Sequence, residues 1–164
     1  MVELITEYFS GLNGPLAVFI VSMMPIVELR GAVPFGISLG LDWRLVYIIS
    51  VIGNTLPVPF IILFIRPIIE FLGKTKMFSK LAAYLEQRTL NKKSQITKYK
   101  MLGLYILVTI PLPGTGAWTG AMLAGLLDMR IKDALPMIFL GVISAGILMM
   151  GITYGFGELF SHFV

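Results

Sequence analysis

The chain contains two similar runs of sequence, PIVELRGAVPFGISLGLDWR at 25–44 and PLPGTGAWTGAMLAGLLDMR at 111–130. Each run begins at a proline, passes through further proline or glycine residues, and ends in Leu-Asp-x-Arg before a long apolar segment. Proline removes a backbone donor and glycine allows turn dihedrals, so neither run is typical of one straight helix. We predict that each run holds a broken helical hairpin and leads into a long helix.

The composition is that of an integral membrane protein. Hydrophobic residues make up 57% of the 164 residues, charged residues make up 13%, and the mean hydropathy is +0.88. Soluble domains carry roughly 25% charged residues, so this chain has too few to cover a water-facing surface. A spanning helix needs about 20 apolar residues, which 45–65 and 134–157 supply. We therefore predict one all-α membrane domain over 1–164, multi-pass, in the cell inner (plasma) membrane.

The two broken apolar blocks, 12–40 and 101–127, predict re-entrant hairpins. In the second block the arms 101–112 and 116–127 each rise roughly 18 Å, about half the thickness of a membrane. Irregular backbone is tolerated at that depth only where protein or water covers it. The alternative is a single long helix kinked at its prolines. The clustering of the helix breakers at the midpoint favours a hairpin.

A basic, amphipathic segment at 66–100 connects the first half, 1–65, to the second half, 101–164. Its basic residues far outnumber its acidic ones: Lys74, Lys76, Lys80, Arg88, Lys92, Lys93, Lys98 and Lys100 stand against Glu86 within 74–100. The positive-inside rule predicts that this segment is cytoplasmic. Nucleic-acid binding is the alternative, but topology and anionic lipid headgroups explain a basic run between two membrane segments better.

A cytoplasmic connection orients both halves. The helix at 45–65 then runs inward, the second hairpin enters from the inside, and the first hairpin enters from the outside. This is an inverted-topology repeat, which is typical of transporters that bind substrate near the midplane. A chain of 164 residues is small for enclosing a cavity alone, so we expect a homodimer.

Glu28 and Arg30 are the leading candidates for function, because ionisable residues at membrane depth are costly. Glu28 could carry a proton, and the planar fork of Arg30 suits a phosphate or carboxylate. The alternative is that the two charges neutralise each other. Backbone N–H groups at the second turn would favour an anion, and Asn54 either lines a cavity or satisfies freed backbone groups. The remaining candidates lie at the turns or next to them: Gly31, Pro34, Pro111, Pro113, Gly114, Thr115, Gly116 and Trp118.

Several kinds of chemistry lack the residues they need. The chain has no cysteine and a single histidine, His162, so we expect neither a metal site nor a cofactor. The glycines of 114–120 do not form a dinucleotide fingerprint, and Gly73-Lys74-Thr75 lacks the upstream glycine of a P-loop. No Ser/His or paired-Asp arrangement is evident, so we expect no enzyme. Residues 1–11 predict a short interfacial helix.

The motifs PIVELRGAVPFG at 25–36 and PLPGTGAWTGA at 111–121 resemble those of the small multidrug export family. Gly53-Asn54 and the basic connection fit the same resemblance, which covers nearly the whole chain. That family is distantly similar to the DedA and VTT-domain membrane proteins, which are associated with flipping of lipid phosphates and proton-coupled drug tolerance. The resemblance implies a transporter. In contrast to DedA proteins, this chain has no arginine around its second Pro-Gly turn.

Together these observations predict a small, proton-coupled secondary transporter of an amphiphile, either a drug-like compound or a lipid phosphate moved by a DedA-like lipid flippase. Glu28 would be the coupling carboxylate and Arg30 the anion contact. The expected partners are membrane lipids, the substrate, protons and a second copy, without nucleic acid. The alternative is a non-transporting membrane protein that acts in membrane assembly or in uncoupled lipid scrambling.

Overall fold

A computed structural model describes residues 13–73, 96–112 and 114–163, and every regular element in these ranges is an α-helix. The all-helical prediction is therefore confirmed for the described residues. The predicted interfacial helix at 1–11, most of the basic connection and Pro113 lie outside them.

The helices occur twice in the order short, short, long. In chain order they are α1 Gly14–Met23, α2 Glu28–Ser38, α3 Trp43–Thr55, α4 Val58–Gly73, α5 Ile96–Thr109, α6 Ala117–Leu126 and α7 Ile131–Phe163. Two segments are long and apolar enough to cross a membrane, Trp43–Ile65 through α3 and α4, and Ile131–Gly155 in α7, each with a mean hydropathy of 2.2. The first long helix continues to Gly73, past its predicted end at residue 65.

Prolines lie at the ends of three of the described helices. Met24 is extended because it precedes Pro25, and α1 ends there. Pro57 separates α3 from α4, although Leu56 before it keeps helical dihedrals, and α5 ends shortly before Pro111. Pro34 was predicted to break the first block, but it lies inside α2. A proline in a helix removes a single hydrogen bond, so here only the carbonyl four residues earlier, that of Arg30, loses its helical donor.

The second short helix ends in the same way in both halves. At the end of α2, Gly40 has a φ of 73° and Leu41 N–H donates to the Gly36 carbonyl. At the end of α6, Asp128 has a φ of 54° and Met129 N–H donates to the Ala124 carbonyl. These are the hydrogen bonds of a Schellman ending. The structural equivalent of Gly40 is therefore Asp128.

This equivalence corrects the alignment of the two Leu-Asp-x-Arg motifs. Asp42 is the N-cap of α3, where its carboxylate accepts from Arg44 N–H at 2.9 Å and Leu45 N–H at 3.3 Å. Asp128 instead ends α6. The two aspartates match in sequence but lie two positions apart in structure, because the link between α5 and α6 is longer than the link between α1 and α2.

The second short helix of each half also contacts the long helix of the opposite half. Within each half the first short helix packs on the long helix, α1 on α3 and α5 on α7, whereas α2 also packs on α7 and α6 packs on α4. Gly53 and Gly141 lie at the first two of these crossings, where a Cβ would collide with Ser22 and Val108 respectively. The buried core follows these crossings, and large apolar side chains such as Ile52 and Ile147 are exposed on the outer faces of the long helices.

We expect Gly36→Ala to destabilise the fold. A Cβ at Gly36 would lie 2.8 Å from the methyl groups of Val46 and 2.9 Å from Val18, and such overpacking costs about 1–3 kcal/mol. Gly151→Ala, on α7, is the matched control, because a Cβ at this position would have no contact within 4 Å. Thermal unfolding in detergent should show a lower midpoint for Gly36→Ala alone. Equal midpoints would contradict the close packing of α2 against α1 and α3.

Candidate functional site

Glu28 is bound by the start of a helix from the other half of the chain. It is the first residue of α2, its side chain is only 4% exposed, and its φ is 50°. Its carboxylate accepts hydrogen bonds from Trp118 N–H at 3.0 Å and Ala117 N–H at 3.3 Å, in the first turn of α6. The first N–H groups of a helix have no partners within it and carry the positive end of its dipole. Glu28 therefore supplies the acceptor that the α6 N-cap, Gly116, has no side chain to provide.

Arg30 binds the opposite end of a helix, the carbonyl end of α5. One terminal nitrogen donates to the carbonyls of Leu112, at 2.9 Å, and Thr115. The other donates to the carbonyls of Ile110, at 2.7 Å, and Val108, at 3.4 Å, and to the hydroxyl of Thr115, at 3.1 Å. Val108 lies in the last turn of α5 and Ile110 directly follows the helix, so their carbonyls are at the negative end of the α5 dipole, where a cation is favoured.

Trp118 makes the reciprocal contact from the second half to the first. Its indole Nε1–H donates to the carbonyl of Met23 at 3.1 Å, in the last turn of α1. Trp118 lies ten residues before Asp128, as Arg30 lies ten residues before Gly40. Residues at equivalent positions thus cap the first short helix of the opposite half.

The second turn is shaped to let the carboxylate approach its backbone. Gly116 has a φ of 145° and Gly114 a φ of 80°, which side-chain-bearing residues rarely adopt. A Cβ on Gly116 would overlap the Glu28 carboxylate, whereas one on Gly114 would meet nothing within 4 Å. The Thr115 hydroxyl donates within the turn, to the carbonyls of Ile110 and Leu112.

The structure brings most of the sequence candidates into one site. The two turns and their helix starts together contain Glu28, Arg30, Pro111, Gly114, Thr115, Gly116 and Trp118. Gly31 and Pro34 follow on α2, and a Cβ on Gly31 would collide with Val27. Each charged side chain binds backbone of the second turn. The sequence predicted that backbone N–H groups at the second turn would favour an anion. In the structure the Glu28 carboxylate occupies this position at the start of α6.

Asn54 lies outside this set of contacts, on the buried face of α3. Within the described ranges, neither its Oδ1 nor the Oγ of Ser50, one helical turn earlier, has a hydrogen-bond partner. Ser50 was not among the candidates predicted from sequence. Its spacing of four residues from Asn54 was the available signal, because residues four apart share a helix face. The Thr55 hydroxyl donates to the Val51 carbonyl one helical turn earlier, which is the usual back-bond of a threonine within a helix.

An apolar cavity of about 430 Å³ adjoins the site. Its walls come from the end of α1, from the proline kink and α4, and from α6: Met23, Leu56, Pro57, Phe60, Ile61, Phe64, Ile65, Ile68, Trp118 and Met122. Met23 and Trp118, which line the cavity, are also joined by the hydrogen bond between the two halves. The α4 lining was not predicted from sequence, where Phe60 and Phe64, four residues apart after the prolines, were the available hint.

We expect Gly116→Ala to be more damaging than Gly114→Ala. Both substitutions force a side chain into a positive φ, at a cost of about 1–3 kcal/mol, and Gly116, with a φ of 145° and a ψ of −167°, lies in a region that is essentially restricted to glycine. Only the methyl group at residue 116 would also displace the Glu28 carboxylate from the start of α6. Thermal unfolding in detergent should therefore give a lower midpoint for Gly116→Ala than for Gly114→Ala. Equal midpoints would show that the carboxylate contact contributes nothing to stability.

Comparison with known proteins gives one match. No curated protein and no solved structure matches the chain. Residues 28–148 match the family described as "Putative small multi-drug export protein", a range that begins at Glu28, directly after the first turn, and includes α2, the second turn, α3, α6 and much of α7. This match and the two apolar helices point to a membrane location. Because the match covers well over half of the sequence, the chain belongs to the small multi-drug export protein family.

Proposed function

We propose that the protein is a small secondary transporter that exports lipophilic compounds and uses Glu28 to couple export to protons. The observation that carries the proposal is the position of this carboxylate, which is nearly buried and holds the start of a helix from the opposite half of the chain. An ionisable residue at membrane depth marks a functional site by default. The family description and the membrane location support export as the activity.

The proposed architecture is an inverted-topology repeat with re-entrant hairpins α1–α2 and α5–α6. The four short helices have 10, 11, 14 and 10 residues, and at 1.5 Å per residue each is shorter than the roughly 30 Å hydrocarbon core. The matching ends of α2 and α6, and the packing of each of these helices against the long helix of the opposite half, support the repeat. Two hairpins that enter from opposite sides would meet at their turns, where transporters of this kind bind substrate.

Protonation of Glu28 would weaken the contact between the halves. The ionised carboxylate accepts two backbone N–H groups and is attracted to the positive end of α6. A protonated carboxyl loses that attraction and turns one oxygen into a donor, which faces N–H groups that are themselves donors. Arg30 would remain bound to the carbonyls of α5. Proton binding therefore loosens α2 from α6 and leaves α2 attached to α5, which gives two arrangements of the hairpins.

The cavity favours a lipophilic drug-like substrate over a lipid phosphate. Its lining is almost wholly apolar, so it would bind an apolar body without hydrogen bonds. A phosphate would need Arg30, and the terminal N–H groups of Arg30 are taken up by carbonyls and by the Thr115 hydroxyl. Arg30 would serve as an anion contact only after it leaves these partners.

We expect Glu28→Gln to abolish proton-driven export. Glutamine has nearly the same shape but cannot exchange a proton, so the contact with α6 no longer responds to pH. The measurement is movement of ethidium, a lipophilic aromatic cation, across liposomes that contain the protein, with and without an imposed pH gradient. The wild type should transport faster with the gradient, and the variant should lose that increase.

Asp133→Asn is the control for Glu28→Gln. It also removes one carboxylate, but from the first turn of α7, away from the contacts of Glu28, Arg30 and Trp118. It should keep the gradient-dependent increase. If Glu28→Gln kept it too, Glu28 would not be the coupling residue. If the wild type moved lipids without any gradient dependence, the uncoupled scrambling alternative would be supported.

The inverted topology predicts opposite exposure for the bases of the two hairpins. The chain has no cysteine, so single cysteines can be introduced without background. Leu39 follows the first hairpin and Lys132 follows the second, and both side chains are exposed. A membrane-impermeant maleimide added to intact cells should label Leu39→Cys only, and Lys132→Cys should react after the membrane is opened. Labelling of both from one side would refute the inverted repeat.

A further inference from the structure

Trp118 takes part in three features of the structure at once. Its backbone N–H donates to Glu28 at 3.0 Å, its indole N–H donates to the Met23 carbonyl at 3.1 Å, and its ring lines the apolar cavity. Because Trp118 makes all three contacts, a displacement of its ring would also move the backbone N–H that donates to the Glu28 carboxylate.

The cavity has the chemistry of a site for a lipophilic aromatic body. Phe60, Phe64 and Trp118 provide aromatic faces, and aliphatic and methionine side chains complete the walls. Its volume of about 430 Å³ lies within the roughly 300–1,000 Å³ that is usual for small-molecule sites. Phe60 and Phe64 are each 58% exposed on the outer face of α4, so a compound dissolved in the bilayer would reach the cavity sideways.

We propose that Trp118 is a positioning residue that links occupation of this cavity by a lipophilic aromatic compound to the protonation of Glu28. The link rests on the transport function proposed above and names the binding site and the residue through which coupling passes. A compound in the cavity contacts Met23 and Trp118, which are the two partners of one hydrogen bond. Binding would therefore disturb the hydrogen bond that holds the indole ring in place. Because the backbone N–H of the same residue donates to Glu28, this disturbance would also reach the Glu28 carboxylate.

The link must act in both directions. If binding in the cavity changes how readily Glu28 takes a proton, then pH must change the affinity for the compound by the same factor. This reciprocity makes an equilibrium measurement sufficient, without any transport. It also separates a positioning role from a purely structural one, because a residue that only stabilised the fold would not alter the pH dependence of binding.

Few other charged groups face Glu28 and could account for such a pH dependence. Arg30, on the same helix, is its charged neighbour. Among the described residues, α1 and α6 carry no titratable side chain. On α3 the candidates are Arg44, at its start, and Tyr47, whose hydroxyl donates to the Ile143 carbonyl. On α7, Lys132 and Asp133 lie in the first turn and Tyr154 lies near the far end.

The test is binding of Nile red, a neutral aromatic dye whose emission rises in apolar surroundings, to the full-length protein in detergent, with empty micelles as the blank. Dissociation constants are measured near pH 5.5 and near pH 8 for the wild type and the single variants. We expect the wild-type constant to differ by about fivefold or more between the two values, the lower end of the range for coupled sites. Glu28→Gln should bind equally at both.

Trp118→Phe is the decisive variant, because phenylalanine keeps an aromatic ring in the cavity and loses only the donor to Met23. It should bind Nile red with an affinity close to that of the wild type at one pH and show little change between the two. Phe60→Ala should weaken binding at both pH values. Its control is Phe139→Ala, an exposed phenylalanine on α7 outside the cavity, which should match the wild type.

The outcomes distinguish this inference from the proposed function. Full pH dependence in Trp118→Phe would overturn the role of Trp118, and equal effects of Phe60→Ala and Phe139→Ala, or no binding by the wild type, would overturn the cavity as the site. Ethidium transport with pH-independent dye binding would leave the transporter standing and refute the link. The expected binding pattern without any transport would support the link and refute the transport function.

Discussion

The fold depends on how the ends of its short helices are satisfied away from water. A helix leaves N–H groups without helical partners at one end and carbonyls at the other, and burial of such a group without a partner costs about 1–3 kcal/mol. Glu28 binds the N–H end of α6, Arg30 binds the carbonyl end of α5, and Trp118 binds the carbonyl end of α1. Each helix end receives a side chain whose charge or dipole complements it. The contacts of α2 and α6 with the opposite half follow, since each capping side chain reaches a helix of that half.

The space between Glu28 and Gly116 has room for one side chain only. Glu28 lies twelve residues before Gly40, and Gly116 lies twelve residues before Asp128, so the carboxylate and the glycine occupy equivalent positions. The carboxylate fills the space that a side chain on Gly116 would need. Equivalent positions near a common centre cannot both carry side chains, so one half supplies the acid and the other supplies bare backbone. The two halves therefore differ at Glu28 and Gly116, in the candidate site.

The sequence predicts the elements of this structure better than it predicts their contacts. Proline and glycine positions indicate both turns because their backbone effects are local, and Glu28 and Arg30 are conspicuous because charge is costly among apolar residues. Their partners lie more than 75 residues away in the chain, and no local rule relates them. The matching of Asp42 with Asp128 misled for a physical reason. Aspartate suits an N-cap and also tolerates the positive φ at a helix end, so one residue type serves two structural positions.

The separation of Glu28 and Arg30 onto different helix ends bears on how a proton could be used here. Two charges that neutralise only each other make protonation of the acid costly, because the remaining cation is left buried and unpaired. Arg30 instead donates to several carbonyls of the second turn, so it keeps its partners whatever the state of Glu28. Protonation then acts mainly on the two hydrogen bonds that Ala117 and Trp118 donate to Glu28 from the start of α6, and Trp118 also lines the cavity. In the proposed transporter, this arrangement would confine the effect of a proton to α6, the helix that a bound compound would also contact.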